Sequence, residues 1–390
     1  MTVKVLSGDH AVAYAVKLCR ADVIPTYPIT PQTLIIEKIS DFIHDGEFDA
    51  TFMPADSEHS AMSMAIGAEA TGVRTFTATA SQGLALMHEM LYVAPQTRLP
   101  IVMANVNRSL GAGSGIWAEY NDSMPERESG WLQAYVEDSQ EALDTIIQAY
   151  RICEDQRVML PMMICLDAFI LSHTVEKVLV PDQAQVDRFL PRYKPLNVLD
   201  PADPKFINIA VSPAHSMEMR YQLDHQLRQV APVINLVDEE FEQHFGRRYG
   251  GMIERYRMAD AEYALITLGS ATSTARVAVD QLRAEGKKVG LIKLRYMRPF
   301  PHKELEEALK GVRALGVFDR SIAMNGFGPV FTEVRNSVYR MGMPVTNHIA
   351  GIGGRDLTIP TFRQMFEKIE ESATKITKEC FWHGLRGDMS

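Results

Sequence analysis

The sequence reads Tyr27-Pro28-Ile29-Thr30-Pro31-Gln32-Thr33 where an apolar run, 22–25, gives way to apolar residues at helical spacing. This order predicts a turn at the carboxyl end of a strand, followed by a helix. Each proline fixes its own φ and keeps the residue before it out of the helical region. A rigid, extended loop with the Thr30 hydroxyl at its tip suits a small anionic ligand, although a plain proline-rich turn explains the same residues.

Length, composition and charge narrow the class of protein. The chain has 390 residues, so two or three domains are expected, and 46% hydrophobic residues suffice for a sizeable core. The formal net charge of -9 argues against a nucleic-acid-binding surface, which is usually basic. Residues 1–9 lack a basic segment followed by an apolar core, and the most apolar run, 158–171, contains Pro161 and Asp167. We therefore expect no signal peptide, no membrane-spanning segment and a cytoplasmic location.

The four cysteines are too far apart in sequence to form a local metal site. They are Cys19, Cys153, Cys165 and Cys380, and no two of them form a CxxC motif. That spacing builds neither a zinc site nor an iron–sulfur cluster within one chain. We expect free thiols in a reducing compartment, with any redox metal on another chain.

Strands and helices alternate through the first part of the chain. Strands are predicted at 23–24, 51–53, 74–79 and 100–106, and the helix after 74–79 is predicted to begin at Leu84. Such alternation predicts an α/β fold with a mostly parallel sheet and covered faces. Ligands bind such sheets beyond the carboxyl ends of the strands. The features that fall there are the proline loop, Glu58, the turn 78–83 and Arg108.

The composition changes between Pro181 and Pro232, where prolines are dense and a helix is predicted from His215. A second unit of strands and helices starts near Asp260. We therefore expect two domains, 1–245 with its C-terminal connector and 258–390. The glycine-rich loop 111–115 is not followed by GK[ST], so it is no phosphate-binding loop; a lid or a plain surface loop both fit.

Seven motifs stand in order along the chain. They are 27–33 (YPITPQT), 56–59 (DSEH), 79–83 (TASQG), 107–108 (NR), 126–131 (ERESGW), 166–173 (LDAFILSH) and 294–300 (LRYMRPF). The ordered set resembles the alpha subunit of a 2-oxoacid:ferredoxin oxidoreductase of the pyruvate type, over nearly the whole chain. The resemblance implies that 1–245 is a pyrimidine-binding domain for thiamine diphosphate and that 258–390 is similar to a transketolase C-terminal domain.

The resemblance also implies roles for residues at matching positions. Glu58 is then the carboxyl that hydrogen-bonds the pyrimidine N1′ of the cofactor. Thr30 bonds the 2-oxoacid carboxylate, and Arg108 pairs with it. The remaining residues of the cofactor pocket are Pro28, Thr79, Ser81 and Gln82. From the residues alone, Glu58 is also explained as an acid at a helix start, and Arg108 as a solvated surface charge.

What the chain lacks indicates partner chains. It has no GDG motif with a downstream asparagine to hold magnesium and the diphosphate, and no ferredoxin-like cysteine run. The resemblance implies a diphosphate-binding beta subunit with Mg2+, a gamma subunit and a delta subunit with 4Fe-4S clusters, in a dimer of hetero-oligomers. The expected reaction is the reversible oxidative decarboxylation of pyruvate with coenzyme A to acetyl-CoA and CO2, with electrons passing to ferredoxin.

Two questions stay open at this point. The chain is either a catalytic subunit or a non-catalytic scaffold that has kept the fold, and intact Thr30, Glu58 and Arg108 favour the first. The substrate is pyruvate or another 2-oxoacid: 2-oxoisovalerate, 2-oxoglutarate, an aromatic 2-oxoacid or oxalate. An oxalate enzyme is expected to carry a further cation in the proline loop, so Thr30 favours an ordinary 2-oxoacid.

Overall fold

The computed structural model describes residues 1–111, 113, 115–208, 210–375 and 378–387. The strands are β1 Thr2–Ser7, β2 Val23–Thr26, β3 Thr51–Pro54, β4 Phe76–Thr79, β5 Val102–Asn107, β6 Leu132–Tyr135, β7 Met162–Asp167, β8 Val175–Val180, β9 Ile253–Tyr256, β10 Tyr263–Thr267, β11 Val289–Leu294, β12 Tyr296–Arg298, β13 Ala314–Asp319, β14 Val345–Ile349 and β15 Cys380–Trp382. The α-helices are α1 Gly8–Leu18, α2 Thr33–His44, α3 Glu58–Glu69, α4 Ser81–Leu91, α5 Val93–Gln96, α6 Ser139–Cys153, α7 Gln183–Phe189, α8 Pro213–Arg228, α9 Val230–Phe245, α10 Ala271–Ala284, α11 His302–Ala308, α12 Pro329–Val338 and α13 Ile359–Ser372. Short 3-10 helices span Pro125–Glu128, Tyr339–Met341 and Ile352–Gly354.

The first sheet has the strand order β12–β6–β7–β5–β4, and a bridge between Val23 and Thr75 continues it to β2 and β3. Its strands run parallel except β12, which is antiparallel to β6. This confirms the mostly parallel sheet predicted from the alternation of strands and helices. The carboxyl ends of β2, β4 and β5 therefore lie along one edge of the sheet.

Strand β5 brings polar side chains into the buried centre of this sheet. Every residue of β5 is buried, as expected for a parallel strand covered on both faces. Because side chains alternate along a strand, Asn105 and Asn107 point to the same face. Buried amides need hydrogen-bond partners, so this face must supply acceptors.

The starts of α3 and α4 differ in how closely the sequence predicts them. Ser57 caps α3 by accepting from the Ser60 backbone N–H at 3.2 Å, which makes Glu58 the first helical residue. Helix α4 begins at Ser81 and not at Leu84 as predicted, because the Gly83 N–H already bonds the Ala80 carbonyl at 2.9 Å. Residues 81–83 therefore lie in the first turn of a helix and not in an open loop.

The second sheet has the order β15–β14–β13–β10–β11–β9 and is parallel except for β9. Strand β12 follows β11 directly in sequence but pairs with β6 of the first sheet. The chain therefore crosses from the second sheet back to the first within the segment 289–298.

Strand β1 is not predicted from the sequence, and the prediction of a single helix from His215 is wrong. Strand β1 precedes the strand at Val23 and pairs antiparallel with β8, from Thr2 opposite Val180 to Ser7 opposite Val175. The single helix predicted from His215 is two helices, α8 and α9, on either side of Gln229. In the loop 111–115, positions 112 and 114 lie outside the described residues.

The cysteines and the apolar character of the helices relate to two expectations drawn from the composition. Cys19, Cys153 and Cys165 are buried free thiols, and Cys380 is a half-buried one. In the part of the chain that the structure describes, no helix combines the length and the apolar character that a membrane crossing requires.

A cluster of buried charges joins the first unit to the second. Lys293 on β11 places its Nζ 2.9 Å from Glu137 and 2.6 Å from Glu141, and Arg295 Nε lies 3.0 Å from Glu141. Burial alone would lower the pKa of Lys293, but the two carboxylates more than offset this effect and raise it. The cation is therefore held charged between helix α6 and the second sheet.

We expect Lys293→Met to destabilise the chain by about 1.5–3 kcal/mol, because two buried carboxylates lose a charged donor and keep only Arg276 on Glu137 and Arg295 on Glu141. Urea unfolding followed by circular dichroism measures this loss. The matched control is Lys310→Met, which removes an exposed pair with Glu307 and should cost less than about 1 kcal/mol. Equal stabilities for the two variants would show that Lys293 adds nothing at the junction.

Candidate active site

The proline loop connects β2 to α2 and is closed by one of its own side chains. Gln32 is buried, and its Nε2 donates to the Tyr27 carbonyl oxygen at 2.9 Å. Pro28 and Thr30 are exposed. The Thr30 hydroxyl is thus accessible on a loop whose shape is set before any ligand binds.

Glu58 lies at the first turn of α3 with its side chain against α4. The residue is 6% exposed, and no side-chain hydrogen bond of Glu58 occurs among the described residues. A Cβ built on Gly83 would stand 2.6 Å from Glu58 Oε1 and 2.5 Å from Thr79 Oγ1. Thr79 Oγ1 is itself buried without a partner. Glycine at position 83 therefore lets the Glu58 carboxylate and the Thr79 hydroxyl pack directly against the start of α4, and neither oxygen has a hydrogen-bond partner among the described residues.

Ser81 and Gln82 follow Thr79 but are placed very differently. Ser81 is fully buried with φ of 48°, and its hydroxyl donates to the Ser109 carbonyl at 2.6 Å. Gln82 is exposed. Ser81 thus ties the α4 start to the segment after β5, whereas Gln82 is accessible from outside.

Arg108 follows β5 and reaches the proline loop. Its Nη1 donates to the Thr30 carbonyl oxygen at 2.8 Å, and its Nε is buried with no partner. The residue is half-buried and not a fully solvated charge. The structure therefore brings the guanidinium of Arg108 against the backbone of Thr30 in the proline loop.

Asp122 is the site residue that sequence reasoning missed. Its buried carboxylate accepts from the backbone N–H groups of Ser81 at 3.1 Å and Arg108 at 3.0 Å. It also accepts from the side chains of Asn105 at 3.2 Å and Asn107 at 2.9 Å. Burial raises the pKa of Asp122 to about 6, and the hydrogen bonds from these donors partly offset the rise. Asp122 therefore positions both the start of α4 and the backbone of Arg108.

The later sequence motifs build the framework around this site. Trp131 is buried, and its Nε1 donates to the Leu91 carbonyl at 2.8 Å. Asp167 Oδ2 accepts from the Ser270 N–H at 3.0 Å and lies 3.0 Å from Arg320 Nη1, which links the two units. These positions hold elements of the fold together.

Two family models match the chain. Residues 14–239 match the thiamine-diphosphate-binding domain of pyruvate flavodoxin/ferredoxin oxidoreductase. Residues 261–362 match core domain II of pyruvate:ferredoxin oxidoreductase. The first match covers more than half of the chain and contains the proline loop, Glu58, Arg108 and Asp122.

Curated relatives match the chain over almost its whole length. Pyruvate synthase subunit PorA of Methanothermobacter thermautotrophicus is 45% identical over 99% of both chains, and that of Methanocaldococcus jannaschii is 46% identical over 98% of both. Ketoisovalerate oxidoreductase subunit VorA of Pyrococcus horikoshii is 45% identical, also over 98% of both chains. The chain belongs to the pyruvate:ferredoxin oxidoreductase family.

Solved structures show the same fold. A 2-oxoglutarate:ferredoxin oxidoreductase from Magnetococcus marinus superposes with a TM-score of 0.71 at 18% identity, over 95% of this chain and 65% of that one. A split-gene transketolase superposes with a TM-score of 0.55 at 13% identity, over 93% and 98%. A thiamine-diphosphate-type α/β unit followed by a transketolase-like α/β unit is therefore the architecture of the chain.

Gly83→Ala tests whether the position of the Glu58 carboxylate matters for cofactor binding. The added methyl group would collide with Glu58 and Thr79 and displace the carboxylate. A lost hydrogen bond to a charged group costs about 1.5–3 kcal/mol, so thiamine diphosphate should bind roughly 10- to 150-fold more weakly. Cofactor titration of the assembled complex measures it. Gly67→Ala is the control, since its Cβ would meet nothing within 4 Å. Unchanged cofactor affinity in Gly83→Ala would place the cofactor elsewhere.

Proposed function

We propose that the chain is the alpha-type subunit of a pyruvate:ferredoxin oxidoreductase. The complex would oxidatively decarboxylate pyruvate with coenzyme A to acetyl-CoA and CO2, pass electrons to ferredoxin, and run in either direction. The observation that carries the proposal is a buried Glu58 carboxylate without a hydrogen-bond partner among the described residues, at the same sheet edge as a guanidinium that reaches the proline loop. The 45% identity to pyruvate synthase subunits supports the choice of reaction.

The residues around Gly83 fit the pyrimidine end of thiamine diphosphate. Glu58 Oε1 and Thr79 Oγ1 lie together against Gly83, and neither has a hydrogen-bond partner among the described residues. The Glu58 carboxyl can share a proton with a ring nitrogen and hold the ring in one orientation. When bound, thiamine diphosphate supplies a carbon nucleophile for the keto carbon and a sink for the electron pair released with CO2.

Arg108 and Thr30 fit the carboxylate of a 2-oxoacid. The Thr30 carbonyl holds Nη1 of Arg108, so the guanidinium is oriented before substrate arrives. A charge-assisted bond from Arg108 and a neutral bond from the Thr30 hydroxyl would orient the carboxylate. Because the keto carbon is attached to that carboxylate, this pair would also set where the reacting carbon lies. Pro28 and Gln82, both exposed, would face the bound ligands or the partner chain.

The rest of the machinery would lie on other chains. A beta subunit would hold Mg2+ and the diphosphate, and gamma and delta subunits, the latter with 4Fe-4S clusters, would complete a dimer of hetero-oligomers. The free thiols of this chain support a reducing, cytoplasmic setting. The relative named for ketoisovalerate, as similar as those named for pyruvate, supports 2-oxoisovalerate as the second candidate substrate.

Glu58→Gln keeps the shape of the side chain but removes the acid. In the assembled complex we expect turnover to fall roughly 10²–10⁴-fold, the usual cost of a lost acid–base group. Steady-state kinetics with pyruvate and ferredoxin measures turnover, and circular dichroism checks the fold. If Glu58→Gln turns over as fast as the wild type, Glu58 serves only as an acid at the start of a helix.

Arg108→Ala and Thr30→Ala should differ strongly in their effect on kcat/KM for pyruvate. Removal of the guanidinium strands a buried carboxylate and should cost about 2–5 kcal/mol. Removal of the Thr30 hydroxyl leaves its carbonyl in place and should cost about 0.5–1.5 kcal/mol. Steady-state kinetics at saturating cofactor measures kcat/KM of both variants with pyruvate and with 2-oxoisovalerate. The comparison tests the roles of Arg108 and Thr30 and identifies the preferred substrate. Equal small losses would mean that another chain holds the carboxylate.

A further inference from the structure

The segment from Arg108 to Asp122 leaves the carboxyl end of β5 and returns to it. Its two ends are joined by the hydrogen bond from the Arg108 N–H to Asp122 Oδ2 at 3.0 Å. Within the segment, the Ser109 N–H bonds the Trp117 carbonyl at 3.0 Å. The residue proposed to hold the substrate carboxylate therefore stands where the two ends of this segment meet, and we call its described residues, 108–111, 113 and 115–122, the substrate loop.

The substrate loop contacts the second unit through consecutive residues. The Gly354 N–H donates to the Ala118 carbonyl at 2.9 Å, and the Tyr120 N–H donates to the Arg320 carbonyl at 3.3 Å. Glu119 lies between these two bonded residues. The second unit thus holds the backbone of the loop on both sides of Glu119.

Glycine at 353 and 354 makes this approach possible. Both residues have positive φ, 63° and 77°, which side chains other than glycine rarely tolerate. A Cβ on Gly354 would also collide with the Cβ of Trp117. The backbone of the turn 351–354 can therefore come close enough for the Gly354 N–H to donate to the Ala118 carbonyl.

Glu119 connects this turn to the neighbour of Arg108. Its Oε2 accepts from the Ser109 hydroxyl at 2.7 Å. The Ser109 carbonyl in turn accepts from the Ser81 hydroxyl at 2.6 Å. Burial raises the pKa of Glu119, while the hydrogen bond from Ser109 lowers it. Glu119 is thus flanked by two residues whose backbones bond the second unit, and its carboxylate bonds the residue next to Arg108.

We propose that Glu119 is a positioning residue for the substrate site, through which the second unit sets the placement of Arg108. The inference rests on the proposed role of Arg108 and adds to it. It gives the transketolase-like unit a part in binding the 2-oxoacid. Glu119 acts through Ser109 and contacts no reacting atom.

A double-mutant cycle in the assembled complex tests the proposal. Glu119→Ala should raise KM for pyruvate about tenfold with kcat changed less than about twofold, because it loosens ground-state and transition-state binding alike. In the Arg108→Ala background the same substitution should change KM by less than about twofold, since its effect passes through the guanidinium. Glu119→Gln keeps one acceptor and the side-chain volume, so it should restore part of the affinity even if the alanine variant folds poorly.

The control and the contrary outcomes separate the two proposals. Glu128→Ala removes an exposed acid beyond the substrate loop and should leave KM unchanged. If Arg108→Ala raises KM but Glu119→Ala does not, or the two effects multiply in full, the positioning role is wrong and the proposed function stands. If Arg108→Ala itself leaves KM unchanged, the substrate role of Arg108 falls, and the positioning role falls with it.

Discussion

One buried carboxylate, that of Asp122, determines how the carboxyl edge of the first sheet is arranged. It receives backbone N–H groups from Ser81 and Arg108 and side-chain N–H groups from Asn105 and Asn107. Burying a carboxylate without hydrogen-bond donors strongly raises the free energy of the folded state, and burying N–H groups without an acceptor also raises it. The start of α4, the end of β5 and the segment that carries Asp122 are therefore stable only in each other's presence.

This arrangement places the cofactor side and the substrate side of the proposed site on a common support. Ser81 N–H and Arg108 N–H both donate to the same oxygen, Asp122 Oδ2. Gly83, two residues after Ser81, packs against the Glu58 carboxylate. The distance between that carboxylate and the guanidinium is thus set by the folded chain and not by the ligand. Such preorganisation lowers the entropy that must be lost when two reacting groups are brought together.

The sequence predicts the sheet and the edge where the site forms, because strand and helix periods are local signals. Glu58, Thr30 and Arg108 could be located because each follows a recognisable strand. Asp122 could not, since it lies in an aperiodic stretch and its partners come from separate segments. The pairing of β1 with β8 joins residues more than 160 positions apart, and β12 is three residues long. Contacts of this kind depend on tertiary structure and leave no local pattern.

Charged groups at the junction of the two units explain why the substrate loop can depend on the second unit. Lys293 and Arg295 meet Glu141, and Arg320 meets Asp167, all of them buried. Buried ion pairs add little net stability, but a buried ion that loses its partner strongly destabilises the fold. The charged groups at the junction are therefore compatible with few relative positions of the two units. An apolar junction could shift by about one ångström at little cost, and a hydrogen bond stretched that far is lost. We infer that the ionic junction supplies the positional accuracy that the Glu119 hydrogen bonds require.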